Sequence, residues 1–350
     1  MKNKYIEIER FIASCMILTL HLYISKGTWI FVEFFFLLTG YFTIAHLKKR
    51  KELMVDNIWY PILYTWNKFV KLFPYTSISL IMLWGIKLIA CDLKGVEIIR
   101  WLLYLPTELL LISGSGMVPN NIQITEIFYS PFMLNAHLWY ICCMLFVLPL
   151  VVYLFMYIKR AKAIVLTILP MFLYGILVMK SGTITGWHGN QYAFFFCSIR
   201  ALAGLLLGGF AYFVSQWVKT PKYTSFGKYL LTTIEVLSFL IVLVASHFTE
   251  LSYDALFIIL LFISVSLSNS GVTYTSKLSI KFADYLGRLS LPIYCMQMPV
   301  IVVCDALGFF NPWVKFSVTI IVSIFVELMF RLAERIWSII YPKLKSFIIL

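Results

Sequence analysis

Ten apolar runs, each near the length needed to cross a hydrocarbon layer, dictate what this chain can fold into. They cover 8–24, 29–47, 72–91, 137–158, 163–180, 192–217, 229–247, 254–270, 289–309 and 313–341. A helix of about 20 apolar residues spans roughly 30 Å, the thickness of a bilayer core. Inside lipid the backbone polar groups must pair within the segment, so continuous apolar runs predict helices. Composition agrees: the chain is 61% hydrophobic and 13% charged, against about 25% charged residues in a soluble domain. The expectation is an all-α, polytopic transmembrane bundle, one domain over 1–350, in the cell (inner or plasma) membrane. Glu7, Glu9 and Arg10 crowd the start of the first run, and no small-x-small cleavage site follows, so it reads as a retained span.

The stretch 98–113 is apolar but short, and carries Arg100, Pro106 and Glu108. Read as an outer-face or re-entrant helix, it leaves ten spans with both termini cytoplasmic. That topology places only Lys26, Lys87, Lys94, Arg100, Lys180 and Lys315 outside, with Arg200 within a span and the rest of the 29 Lys and Arg inside. So lopsided a split favours it over an eleven-span arrangement. It gives one long outer segment, 92–136, and a basic inner segment, 48–71, whose TWNKFVKLFP should lie along the cytoplasmic interface. The formal net charge of +13 then speaks of orientation and anionic membrane lipids, not of nucleic acid. The seven cysteines fall mostly in apolar runs without metal-ligand spacing, so they read as small buried residues, and no metal is expected. No internal repeat is visible, which weakens an inverted-repeat transporter.

Ionisable groups inside spans are costly and mark functional sites by default. Arg10 and His21 lie eleven positions apart in the first run. At 100° per residue they differ by roughly 20° in azimuth and about 16 Å in height, so they share one helix face. Each has a simpler reading, Arg10 as an interfacial snorkeller and His21 as a core histidine. Glu33, near the outer end of the second run, can orient the His21 imidazole, or contact Lys26 or water. Arg200 requires an anionic partner: Glu33, Glu327 or a ligand. Around it, Ala203, Gly204, Gly208 and Gly209 predict close helix packing. Lys68 and Lys71 suit phosphates, of lipid or of a nucleotide-bearing donor. Asn135, His137 and Trp139 begin the fourth run at the outer face, Trp139 as an interfacial anchor.

Several of these stretches, in order, resemble the acyltransferase 3 family of bacterial integral-membrane O-acyltransferases. Arg10 and His21 match its Arg-x10-His signature, VEFFFLLTGYF (32–42) resembles its second-span motif, and NKFVKLFP (67–74) its basic start to the third span. IRALAGLLLGG (199–209) is similar to its Arg-containing span, and DYLGRLSLPIYCMQMPVI (284–301) to L-G-x-x-S-x-x-I-Y-x-x-H-x-P. The chain departs from the pattern at Gln297, where the family has histidine, and at Lys68 and Lys71, where it has arginine. Glutamine forms hydrogen bonds but shuttles no proton, and lysine loses bidentate phosphate contacts.

The resemblance implies transfer of an acyl group, usually acetyl, from cytoplasmic acyl-coenzyme A to a hydroxyl of a cell-surface polysaccharide or lipid-linked glycan. No tightly bound cofactor is implied; acyl-coenzyme A is the donor co-substrate. Arg10, Lys68 and Lys71 would meet donor phosphates and His21 would act as base, oriented by Glu33. Arg200 would neutralise developing charge, and Asn135, His137, Trp139 and Gln297 would face the acceptor. The rival expectation is an exporter or flippase of a polysaccharide or lipid-linked intermediate.

Overall fold

A computed structural model describes residues 3–49, 57–90, 95–115, 135–157, 162–184, 193–249 and 253–348. Parts of the expected inner segment 48–71 (50–56) and of the expected outer segment 92–136 (92–94 and 116–134) lie outside these. Among the described residues all regular structure is helical. The helices are α1 (Lys4–His21), α2 (Phe31–Lys49), α3 (Tyr60–Ala90), α4 (Gly95–Leu109), α5 (Trp139–Tyr157) and α6 (Lys162–Ser181). They continue as α7 (Ala193–Lys219), α8 (Ser225–Phe248), α9 (Asp254–Ser268), α10 (Ala283–Ala306) and α11 (Pro312–Ile348). Every expected apolar run coincides with one of them, and the ambiguous stretch near 98–113 falls on α4.

Among the described residues, eight helices are long and apolar enough to cross a membrane by length and composition: α2, α3, α5, α6, α7, α8, α10 and α11. α1 does not qualify because Lys4, Glu7, Glu9 and Arg10 occupy its first two turns. α9 has 15 residues, about 22 Å of helix, and packs between α7 and α8.

Burial sorts the eight into two layers. The apolar windows of α2, α5, α7 and α10 are 61–72% buried, whereas those of α3, α6, α8 and α11 are 17–28% buried. The outer helices show Ile81, Phe172, Val244, Ile321 and Phe325 on the bundle surface, an apolar exterior that fits lipid.

The central contact is α2 against α7. A Cβ on Gly40 would stand 2.0 Å from the Leu205 carbonyl oxygen, and one on Gly208 would stand 2.1 Å from that of Leu37. The two backbones therefore touch through paired glycines, the close packing expected of the small residues in α7. Gly208→Val should destabilise the bundle by about 1–3 kcal/mol or more, by overpacking. Gly175→Ala should not, since nothing lies within 4 Å of its Cβ position. Thermal melting of the detergent-solubilised variants checks both.

Candidate functional site

α1 lies along α10, and both of its prominent polar residues face that helix. Near the start of α1, Arg10 donates to Glu7 Oε2 at 2.9 Å and to Ser290 Oγ at 3.2 Å. One helix length away, His21 Nδ1 sits 3.2 Å from Gln297 Oε1. Ser290 and Gln297 are two turns apart on α10, so the shared face of Arg10 and His21 is realised as one seam. An amide oxygen only accepts, so this contact puts the proton on Nδ1 and leaves the lone pair of His21 on Nε2.

His137, in the short turn that leads into α5, joins the same cluster. Its ring meets the His21 ring edge-on, with centroids 4.1 Å apart. The Tyr294 hydroxyl donates to the His137 carbonyl. Two polar atoms of this cluster are buried without a hydrogen-bond partner among the described residues: His137 Nδ1 and Gln297 Nε2. Gln297 itself is fully buried. Asn135 stands beside this group but is turned into the structure. Its amide donates to Ser79 Oγ at 2.8 Å, and Ser79 in turn donates to the Cys295 carbonyl.

Glu33 takes a different place from the one expected beside His21. One carboxylate oxygen is paired with Arg200 Nε and the other accepts from Tyr174 at 2.6 Å. Both oxygens are thus committed, and the polar partner of His21 is Gln297 instead. Arg200 is 2% exposed and lies between Trp29 and Trp139, whose ring centroids are 4.8 and 5.2 Å from the guanidinium carbon. Trp139, expected as an interfacial anchor, therefore covers a buried cation. Of the partners weighed for Arg200, Glu33 is the one it has, while Glu327 pairs with Arg331 and accepts from Tyr75.

A cavity of about 1070 Å³ opens beside the first half of α1. Lys4, Arg10, Lys49, Lys68 and Lys277 line it, with Arg10 held by Glu7 and Lys4 by Asp284. Phe35, Leu38, Phe42, Ile141 and Met144 form apolar walls. Tyr140 and Tyr294 line it too, so the Tyr294 hydroxyl connects the cavity wall to the carbonyl of His137. Lys68 also stands over the Tyr64 ring, 5.8 Å from its centroid. Lys71 is exposed and does not line the cavity.

Sequence reasoning singled out Arg10 and Lys68 but not Lys4, Lys49, Lys277, Tyr140 or Tyr294. The two tyrosines carried a usable signal. Tyr140 follows His137 by three residues and Tyr294 precedes Gln297 by three, the spacing of a shared helical face. The three lysines come from separate elements, and nothing in the chain order announces their meeting. Of the seven cysteines expected to be buried, Cys142, Cys143, Cys197, Cys295 and Cys304 are buried and free, Cys15 is free but half-buried, and Cys91 lies outside the described residues. Comparisons with protein-family models, curated proteins and solved structures find no match to this chain.

Proposed function

We propose that this protein is a membrane O-acyltransferase of the acyltransferase 3 type. It would move an acyl group, acetyl by the family resemblance, from acyl-coenzyme A to a hydroxyl of a surface polysaccharide or lipid-linked glycan. The observation that carries the reading is the cavity. It joins a strongly basic lining to apolar walls and reaches Tyr294, whose hydroxyl donates to the carbonyl of His137 beside His21 and Gln297. A donor with several phosphates and a thioester at the far end of a long arm has that polarity.

The topology that suits this chemistry has ten spans, with α1 and α9 crossing inside the shelter of the others, and both termini cytoplasmic. All five cavity cations belong to the side assigned to the cytoplasm by the positive-inside distribution. The donor would then enter from the cytoplasm of an inner or plasma membrane, and the acceptor from the opposite face.

In the reaction, His21 Nε2 removes the proton of the acceptor hydroxyl as the oxygen attacks the thioester carbon. The C–O bond forms, the C–S bond breaks with its electron pair going to sulfur, and the imidazolium returns the proton to the thiolate. Arg10 and Lys68 hold donor phosphates. The Glu33–Arg200 pair acts as the frame of the α2–α7 contact and not on the reacting atoms.

Binding of labelled acetyl-coenzyme A to the purified protein tests the donor assignment. The wild type should bind, and Lys68→Ala and Arg10→Ala should each weaken binding about tenfold, the worth of one charge-assisted contact. Equal binding by both variants, or none by the wild type, would remove the cavity from the account.

A further inference from the structure

Resting on the acyl-transfer reading, we propose that Gln297 supplies the oxyanion donor of the reaction, in addition to setting the tautomer of His21. Its side chain is fully buried on α10, and its two ends differ sharply. Oε1 is 3.2 Å from His21 Nδ1. Nε2 has no hydrogen-bond partner among the described residues. A buried amide N–H left without an acceptor is costly in a folded protein, and such groups point to an unfilled role, often that of a ligand contact.

The rigid amide fixes what that contact can be. Because Nε2 and Oε1 share one carbon, the unpartnered N–H lies beside the His21 ring. The N–H can only donate, so the partner it is suited to is an acceptor brought to that ring. In acyl transfer that acceptor is the carbonyl oxygen of the thioester. As the hydroxyl oxygen attacks and the π pair moves onto the carbonyl oxygen, negative charge grows where Nε2–H can meet it. Collapse returns that pair to the carbonyl and expels the thiolate, which takes its proton from His21. Side-chain amides serve this purpose well because they are neutral, polar and preorganised before charge develops. The glutamine that stands where related sequences have histidine is thus functional by a different chemistry: it stabilises charge and carries no proton.

Two substitutions separate this role from mere positioning of His21. Gln297→Glu, when ionised, keeps an oxygen acceptor for His21 Nδ1–H but replaces the donor with oxygen, so it is assayed over a pH series that reaches its ionised form. Gln297→Met removes both. The assay is thiol release from acetyl-coenzyme A by proteoliposomes supplied with a glycolipid extract of the expressing cells. The melting temperature of each variant is measured alongside. Gln297→Glu should lower kcat by about 10²–10³-fold with KM changed by less than about twofold, the signature of a contact made only in the transition state. Gln297→Met should fall at least as far. If Gln297→Glu retains wild-type kcat throughout the pH series, its ionised form included, the oxyanion role is overturned, positioning suffices, and the acyl-transfer reading stands. If Gln297→Met melts too low to assay, the Glu variant alone decides. Wild-type protein that releases no thiol above the rate of empty liposomes overturns the enzyme reading, and this proposal with it.

Discussion

Glu33→Ala loses about 3–5 kcal/mol of folding stability, the cost of removing one partner from a buried ion pair. The guanidinium of Arg200 is enclosed by two tryptophan rings and is almost wholly buried. Its carboxylate partner has no exposure at all. Taking Glu33 away breaks the buried ion pair with Arg200, and Tyr174 loses its acceptor as well. Arg200→Met should cost a similar amount by stranding the carboxylate. The double variant Glu33→Leu, Arg200→Met should recover most of the loss, because replacing both members with apolar groups of similar size removes the stranded charge. Thermal and denaturant melting of the three variants in detergent reads this directly. If either single variant melts like the wild type, the pair is not the frame described here. If the double variant is stable but no longer active, Arg200 has a chemical role as well.

That pair also shows what could have been read from the sequence. Glu33 and Gly40 are seven residues apart, and Arg200, Gly204 and Gly208 are spaced by four. Each set lies on one helical face. Glycines repeated at that spacing favour a face on which two helices approach closely, and Gly40 and Gly208 lie on such a face, so the charges on the same faces are brought together. Reading Glu33 by depth alone placed it with His21, since both lie near the same end of their helices. Azimuth decides the matter, and the glycines encode it. The Arg10–His21 face was legible for the same reason, through helical spacing within one segment. Its partner on α10 was legible only in part. Gln297 stood out by its motif, but the hydrogen bond to His21 depends on how α1 and α10 pack. The cavity was least visible. Its lysines are contributed by α1, α2, α3 and the turn after α9, and their convergence is a property of tertiary packing alone.

The largest chemical effect belongs to His21. His21→Ala should reduce acyl transfer by about 10²–10⁴-fold, the usual contribution of a general base, with little change in donor binding. The histidine touches Gln297 and His137 but does not line the basic cavity, so the phosphate contacts survive its loss. His21→Asn sharpens the comparison. Its amide N–H can replace Nδ1–H toward Gln297 Oε1, while nothing replaces the basic Nε2. It should be as inactive as the alanine variant yet melt closer to the wild type. Activity retained by His21→Asn would mean that the histidine positions its neighbours and does not move the proton.

The central claim, covalent transfer of an acyl group to a surface glycan, is tested most directly by mass spectrometry of cell-surface glycans. Three strains are compared: one carrying the wild-type protein, one carrying His21→Ala, and one lacking the protein. The account predicts an acyl-sized mass increment in the first strain alone, and the size of the increment identifies the group. Identical glycan masses in all three, with a change only in how much glycan reaches the surface, would contradict it and support an exporter.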